Sequence, residues 1–322
     1  MPPLSPLAAN CQTVVPSRRA FTTHNAVQAV ELDVYAQAPT VRVRTRHFHH
    51  DGWRLVYDEY GTGPRPLVLV HGLLLSRKMH APLARALAER GNRVIVIDLL
   101  GHGESDRPQD MWRYSMPIFG EQIVSLLDHL GIDEAVVAGT SLGANATLEA
   151  ACQAPERLRG MVIEMPVLDN ALLGCALAFT PLLVSLTFGA PITRQVARLA
   201  QLVPRGATSL GDMALDWISQ DPGPSGAVLQ GLFFGRIAPP RDERGRIETQ
   251  ALVIGHGRDP IHPFSDSDML VRELPNGRLL EASSILELRV APDRLTAEIG
   301  RFVDECWRPV KAPVARGRRA SA

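Results

Sequence analysis

The residues with the clearest chemical potential are Gly139-Thr140-Ser141-Leu142-Gly143, a serine between two glycines. The segment follows the apolar run Ala135–Ala138 and opens a helical stretch from Leu142 to Gln153. Small residues on either side allow a tight strand-to-helix turn that lifts the serine hydroxyl above the sheet edge at a helix N-terminus. A serine hydroxyl is a weak nucleophile near neutral pH and needs a base within hydrogen-bond reach. In the fold that uses such an elbow, the acid and then the histidine follow the serine in chain order. Here no histidine follows His262. The elbow also predicts where developing negative charge would be held. One backbone N–H is that of Leu142, and the second is that of Leu73, in the loop Val70-His71-Gly72-Leu73 after an apolar strand. Such donors contribute roughly 3 kcal/mol each to a transition state. The ring nitrogens of His71 are expected to order this loop.

The elements that must position these groups follow from periodicity. Val41–Phe48 and Trp53–Tyr57 alternate with period two around Asp51-Gly52, which predicts an antiparallel hairpin. Apolar runs then alternate with helical stretches. The runs are Pro66–Val70, Arg93–Ile97, Ala135–Ala138, Met161–Ile163, Ala251–Ile254 and Arg278–Leu280. The helices are expected near Lys78–Arg90, Ile118–Leu130, Leu142–Gln153 and Asp293–Cys306. This order predicts an α/β fold, a mostly parallel sheet with helices on both faces. The expected organisation is an irregular leader over 1–40, with a short helix at Ala26–Gln37, and a core over 41–165 and 251–308. A helical cap would occupy 166–250 and a basic tail 309–322.

Within the cap, Ala171–Ile192 has no charged residue and could span a bilayer by length alone. Gly174, Pro181 and Gly189 are expected to interrupt it, and it sits between two strands of one sheet. An apolar helix pair roofing the site is the preferred reading, with weak membrane-surface contact as the alternative. Either favours an apolar substrate or ligand.

Composition narrows the remaining classes. With 34 basic and 34 acidic residues, the chain has no electrostatic reason to seek nucleic acid. Cys11, Cys152, Cys175 and Cys306 lack metal-like or disulfide-like spacing, so reduced thiols and a cytoplasmic location are expected. Residues 1–10 lack a secretory signal pattern, and no metal or cofactor is implied.

Taken together, His71-Gly72, Asp98 with Gly101-His102-Gly103-Glu104-Ser105, and the Ser141 elbow resemble the α/β-hydrolase fold superfamily over roughly residues 45–308. The resemblance implies that His102 holds loop structure. It also places Asp259, in Gly255-His256-Gly257-Arg258-Asp259-Pro260-Ile261-His262-Pro263, in the role of triad acid, with Asp169 as the alternative. Relatives carry a histidine after the last strand. In this chain the corresponding stretch runs from Glu281 to Pro292, and Ser283–Leu286 occupy the histidine's place. Three readings stay open. His262, or His256, substitutes as base; a carboxylate such as Glu287 or Glu164 acts through water; or the site binds a small apolar ligand as a weakened pseudo-hydrolase. The expected activity is serine-dependent hydrolysis of an apolar ester, thioester or lactone through an acyl-enzyme, with acyl transfer as the enzymatic alternative. Serine in place of aspartate at the elbow disfavours dehalogenation and epoxide opening.

Overall fold

Apolar runs that are buried on both faces pair most readily as parallel strands covered by helices, and that is how this chain folds. The computed structural model describes residues 41–309 apart from residue 207. The leader with its expected Ala26–Gln37 helix, the tail beyond residue 309 and Cys11 lie outside the described residues. The first part of the core runs β1 (Val43–His50), β2 (Trp53–Tyr60), β3 (Arg65–Val70), α1 (Ala81–Glu89), β4 (Asn92–Asp98), α2 (Met116–His129), β5 (Ala135–Thr140), α3 (Leu142–Gln153) and β6 (Leu158–Glu164). The cap follows as α4 (Leu172–Phe188), α5 (Ala190–Gln201), α6 (Ser209–Ile218), α7 (Pro222–Phe234) and α8 (Arg241–Arg244). The chain then returns to the sheet with β7 (Ala251–His256), α9 (Phe264–Glu273), β8 (Gly277–Ala282), α10 (Glu287–Val290) and α11 (Asp293–Cys306).

The eight strands form one sheet in the order β1-β2-β4-β3-β5-β6-β7-β8. β1 and β2 pair antiparallel, as do β2 and β4, and every other pairing is parallel. The central strands supply two apolar layers. On one face Val68, Val70, Ile95, Ile97, Val137 and Ile163 pack against α2 and α3. On the other, Leu67, Leu69, Val94, Val96, Val136 and Ile254 pack beneath α1 and α11. The outer strand β1 is largely exposed and carries Arg44 and Arg46. Charges on an open edge discourage pairing with other chains.

The cap departs from expectation in one respect. Gly174 and Pro181 do not interrupt the apolar segment; α4 runs through both and ends only at Gly189. A proline inside a helix removes one backbone hydrogen bond. Pro181 faces solvent, where water can satisfy the carbonyl left without a donor. One carboxylate of the core gathers three backbone N–H groups at the entrance to the cap. Asp266 of α9, fully buried, accepts from the N–H groups of Leu168 at 2.7 Å, Asn170 at 3.0 Å and Ala171 at 3.1 Å.

Candidate active site

Ser141 stands at the turn between β5 and α3 with φ 54° and ψ −111°, a backbone conformation that L-residues rarely adopt. Such strain costs about 1–3 kcal/mol and persists only where the surroundings enforce it. The two glycines show how. A Cβ on Gly139 would collide with the Gly143 carbonyl, and one on Gly143 would collide with the Val70 carbonyl. The elbow is therefore pressed against both its own helix and the β3 loop. The Ser141 N–H is held by the Glu164 carbonyl at 2.8 Å.

The candidate acid and base, Asp259 and His262, come from one short loop after β7. Asp259 Oδ1 accepts from the N–H groups of Ile261 at 2.9 Å and His262 at 3.0 Å, while Oδ2 lies 2.9 Å from His262 Nδ1. An ionised carboxylate only accepts, so the proton of the neutral imidazole sits on Nδ1 and Nε2 presents its lone pair. His262 Nε2 is 2.9 Å from Ser141 Oγ. Burial pushes the Asp259 carboxyl up, but the His262 side-chain and backbone N–H groups outweigh it and hold the carboxyl below its usual range. Asp259 thus remains an anion beside the imidazole, able to fix its orientation and to stabilise its cation.

The structure leaves the other candidates away from this hydroxyl. Asp169 is exposed at the start of the cap, 3.6 Å from Arg244. Glu287, at the start of α10, is engaged by Arg294 at 2.7 Å and by the Ser283 N–H, and these hold its carboxyl at about 2. A carboxylate so paired is a poor base. His256 is buried, with Nδ1 donating to the Ser284 carbonyl at 2.9 Å and Nε2 lying 3.6 Å from Glu164. Glu164 also accepts from Thr140 at 2.5 Å and from Arg289 at 2.9 Å. Burial pushes the Glu164 carboxyl up, but the Arg289 guanidinium and the His256 and Thr140 hydrogen bonds together hold it far below its usual range. Arg289 lies just beyond Ser283–Leu286 and sends its guanidinium beneath the elbow, to Thr140 and Glu164. That network spans residues 140 to 289 and has no local sequence signal.

The motif around His102 is structural. Asp98 accepts from the N–H groups of Arg77 at 2.6 Å and Glu104 at 2.8 Å, and it pairs with the buried Arg77 guanidinium. A Cβ on Gly103 would overlap the Asp98 carboxylate. His102 packs 4.7 Å from His71, and burial drives both imidazoles down, keeping them neutral. His71 Nδ1 donates to the Gly72 carbonyl at 2.8 Å and Nε2 accepts from the Leu99 N–H at 3.1 Å, which steadies the Leu73 loop.

Above Ser141 lies a cavity of about 180 Å³. Leu73 and Leu142 form its floor beside the serine; Leu142 opens α3, so its N–H has no partner four residues back. The roof and walls come from the cap, chiefly Phe179 of α4 and Leu229 and Phe233 of α7, with Met116 from the core. Asn145 of α3 fastens the surrounding backbone, donating to the carbonyls of Val167 and Ile237, both at 2.7 Å. Among the cavity residues, those of the cap were not readable as site residues from sequence.

Comparison with known proteins agrees with the fold. A family model described as the alpha/beta hydrolase fold matches residues 65–222. The 2-hydroxymuconate semialdehyde hydrolase of Pseudomonas putida is 30% identical over 241 residues, which is 71% of this chain and 82% of that one. The chain belongs to the α/β-hydrolase fold family. The bifunctional epoxide hydrolase 2 of Mus musculus is 36% identical over 110 residues, but those are 34% of this chain and only 20% of that protein. Among solved structures, an enol-lactonase from Burkholderia xenovorans superposes with a TM-score of 0.66 at 21% identity, covering 80% of this chain and all of the other. At that identity the likeness speaks for the α/β-hydrolase fold alone.

Proposed function

We propose that this α/β-hydrolase-fold protein is a serine hydrolase that cleaves a small apolar ester, thioester or lactone through an acyl-enzyme. The observation that carries this reading is the unbroken chain from Ser141 Oγ to His262 Nε2 to Asp259, with both links at 2.9 Å. In it, Ser141 attacks the substrate carbonyl while His262 Nε2 takes the hydroxyl proton. The N–H groups of Leu73 and Leu142 receive the oxyanion. His262 then returns the proton to the departing alkoxide or thiolate, leaving the acyl group on Ser141 Oγ. Water, deprotonated by the same imidazole, attacks the acyl carbon; the acyl–Oγ bond breaks, His262 returns the proton to Ser141 Oγ, and the acid is released. The apolar walls favour a substrate with a hydrocarbon acyl group of several carbon atoms. The scattered thiols favour a cytoplasmic site of action.

The test is covalent labelling with a fluorophosphonate probe, run beside turnover of p-nitrophenyl butyrate. Wild type should label at one site, Ser141→Ala should not label, and His262→Ala should acylate slower by about 10³-fold or more. Absence of labelling and turnover from about pH 6 to about pH 9 would refute the reading and favour a ligand-binding role.

A further inference from the structure

An apolar helix in a soluble domain ordinarily turns its apolar face inward. α4 does so on one side only. Its inner face supplies Leu172, Cys175 and Phe179 to the cavity, and the helix packs on α7. Its outer face repeats Leu173, Leu177, Val184 and Phe188 at helical spacing, with Leu173 72% exposed, Leu177 70% and Phe188 82%. α5, which packs against α4, continues the pattern with exposed Ile192 and Val196. Phe188 and Ile192 flank the Gly189 turn between the helices. Soluble monomers rarely leave a large contiguous apolar patch facing water. By length and composition, Asp169–Phe188 could even cross a membrane. The fold argues against crossing, because α4 lies between β6 and β7 of one sheet and its inner side roofs the cavity.

The charges beside this face indicate what covers it. Between Asp169 and Asp212 the only charged residues are Arg194, Arg198 and Arg205. Arg205 pairs with Asp216 at 3.2 Å, whereas the exposed Arg194 and Arg198 have no ion-pair partner among the described residues. Two residues on from Ile192 and Val196, Arg194 and Arg198 turn to the flank of α5 away from that apolar face. A helix with one apolar side and an arginine-bearing, carboxylate-free flank suits the interface of an anionic lipid surface.

We propose that the outer face of α4 and α5 docks on an anionic lipid bilayer, with both helices lying in the interface. This goes beyond the hydrolase reading and does not depend on Ser141 chemistry. It would hold α4 between the lipid and the cavity, so that an apolar substrate dissolved in the membrane meets the site at its roof.

The experiment is flotation of the full chain with phosphatidylcholine vesicles and with vesicles of phosphatidylcholine and phosphatidylglycerol at roughly 3:1. The protein should float with the anionic vesicles and much less with the neutral ones. Leu177→Asp with Phe188→Asp should cut the bound fraction about tenfold or more. Arg194→Gln and Arg198→Gln should each weaken binding to anionic vesicles about fivefold and leave binding to neutral ones unchanged. Circular-dichroism melts check that the variants fold, and the arginine pair remains informative if the aspartate pair does not. Failure of the wild type to float with anionic vesicles would overturn the proposal. So would a dimer by light scattering that the Leu177 and Phe188 substitutions split, which would assign the face to a second copy.

Discussion

Asp259→Asn is the sharpest probe of the site, because the structure dictates which way the new amide must face. Oδ1 of Asp259 now accepts two backbone N–H groups, those of Ile261 and His262. An asparagine keeps both bonds only with its oxygen there, which turns its NH2 toward His262 Nδ1. Nδ1 must then accept, and the ring proton moves to Nε2, facing Ser141 Oγ. A ring in that state cannot take the serine proton. Flipping the amide would restore the productive tautomer but set an NH2 against two N–H donors. Losing two hydrogen bonds at about 1 kcal/mol each leaves the productive form near one part in thirty. Loss of the carboxylate charge opposite the imidazolium adds to this, and the full effect in such constellations approaches about 10⁴-fold in kcat. The assay is the second-order rate of fluorophosphonate labelling together with kcat for p-nitrophenyl butyrate, beside a circular-dichroism melt to show that the fold is kept. Nitrogen NMR of the labelled imidazole should report the proton on Nε2. A folded Asp259→Asn protein within about tenfold of wild type, or one retaining the proton on Nδ1, would refute the reasoning.

Three further outcomes follow from other parts of the site. Gly143→Ala must push a methyl group into the Val70 carbonyl, so it should destabilise the protein by about 2 kcal/mol or more in a denaturant melt and displace the Leu73 loop, lowering kcat. Phe179→Trp narrows the roof of the cavity, and the ratio of kcat/KM for octanoyl over butyryl esters should fall about tenfold. For His256, burial lowers the imidazole pKa, but the Glu164 hydrogen bond and charge outweigh it and raise the net value. A folded pKa above the unfolded one adds stability that is fully present below the unfolded value near 6.5 and lost as pH rises through the folded value. His256→Gln should therefore cost more stability at about pH 5.5 than at about pH 9, measured by urea melts; an equal cost at both would count against the charged pair.

What could be read from the sequence was whatever depends on neighbours along the chain. The elbow was legible because Gly139 and Gly143 answer a steric demand within a five-residue turn, and the strands because burial on both faces writes an unbroken apolar run. α3 and α11 begin and end where periodicity sets them, at Leu142–Gln153 and Asp293–Cys306. The choice among His262, His256 and Glu287 was not legible, since it rests on side-chain direction. Asp259 folds its own loop back and aims His262 at the serine, while Glu164 captures His256 and Arg294 captures Glu287. The persistence of α4 through Gly174 and Pro181 was hidden for a different reason. Helix propensity counts against both residues, and packing of α4 on α7 overrides it.

The placement of Asp259 and His262 three residues apart changes what the rest of the chain must remember. Where acid and base sit on separate loops, their alignment depends on two independent segments, and an error in either disables the pair. Here the pair is held by hydrogen bonds within one turn, and only its aim at Ser141 depends on the sheet. The segment from β8 to α11 is thereby released to serve as a strut, with Arg289 bracing Glu164 beneath the elbow. New chain ends opened in the exposed Ser283–Leu286 stretch would leave Asp259, His262 and Ser141 on one continuous piece.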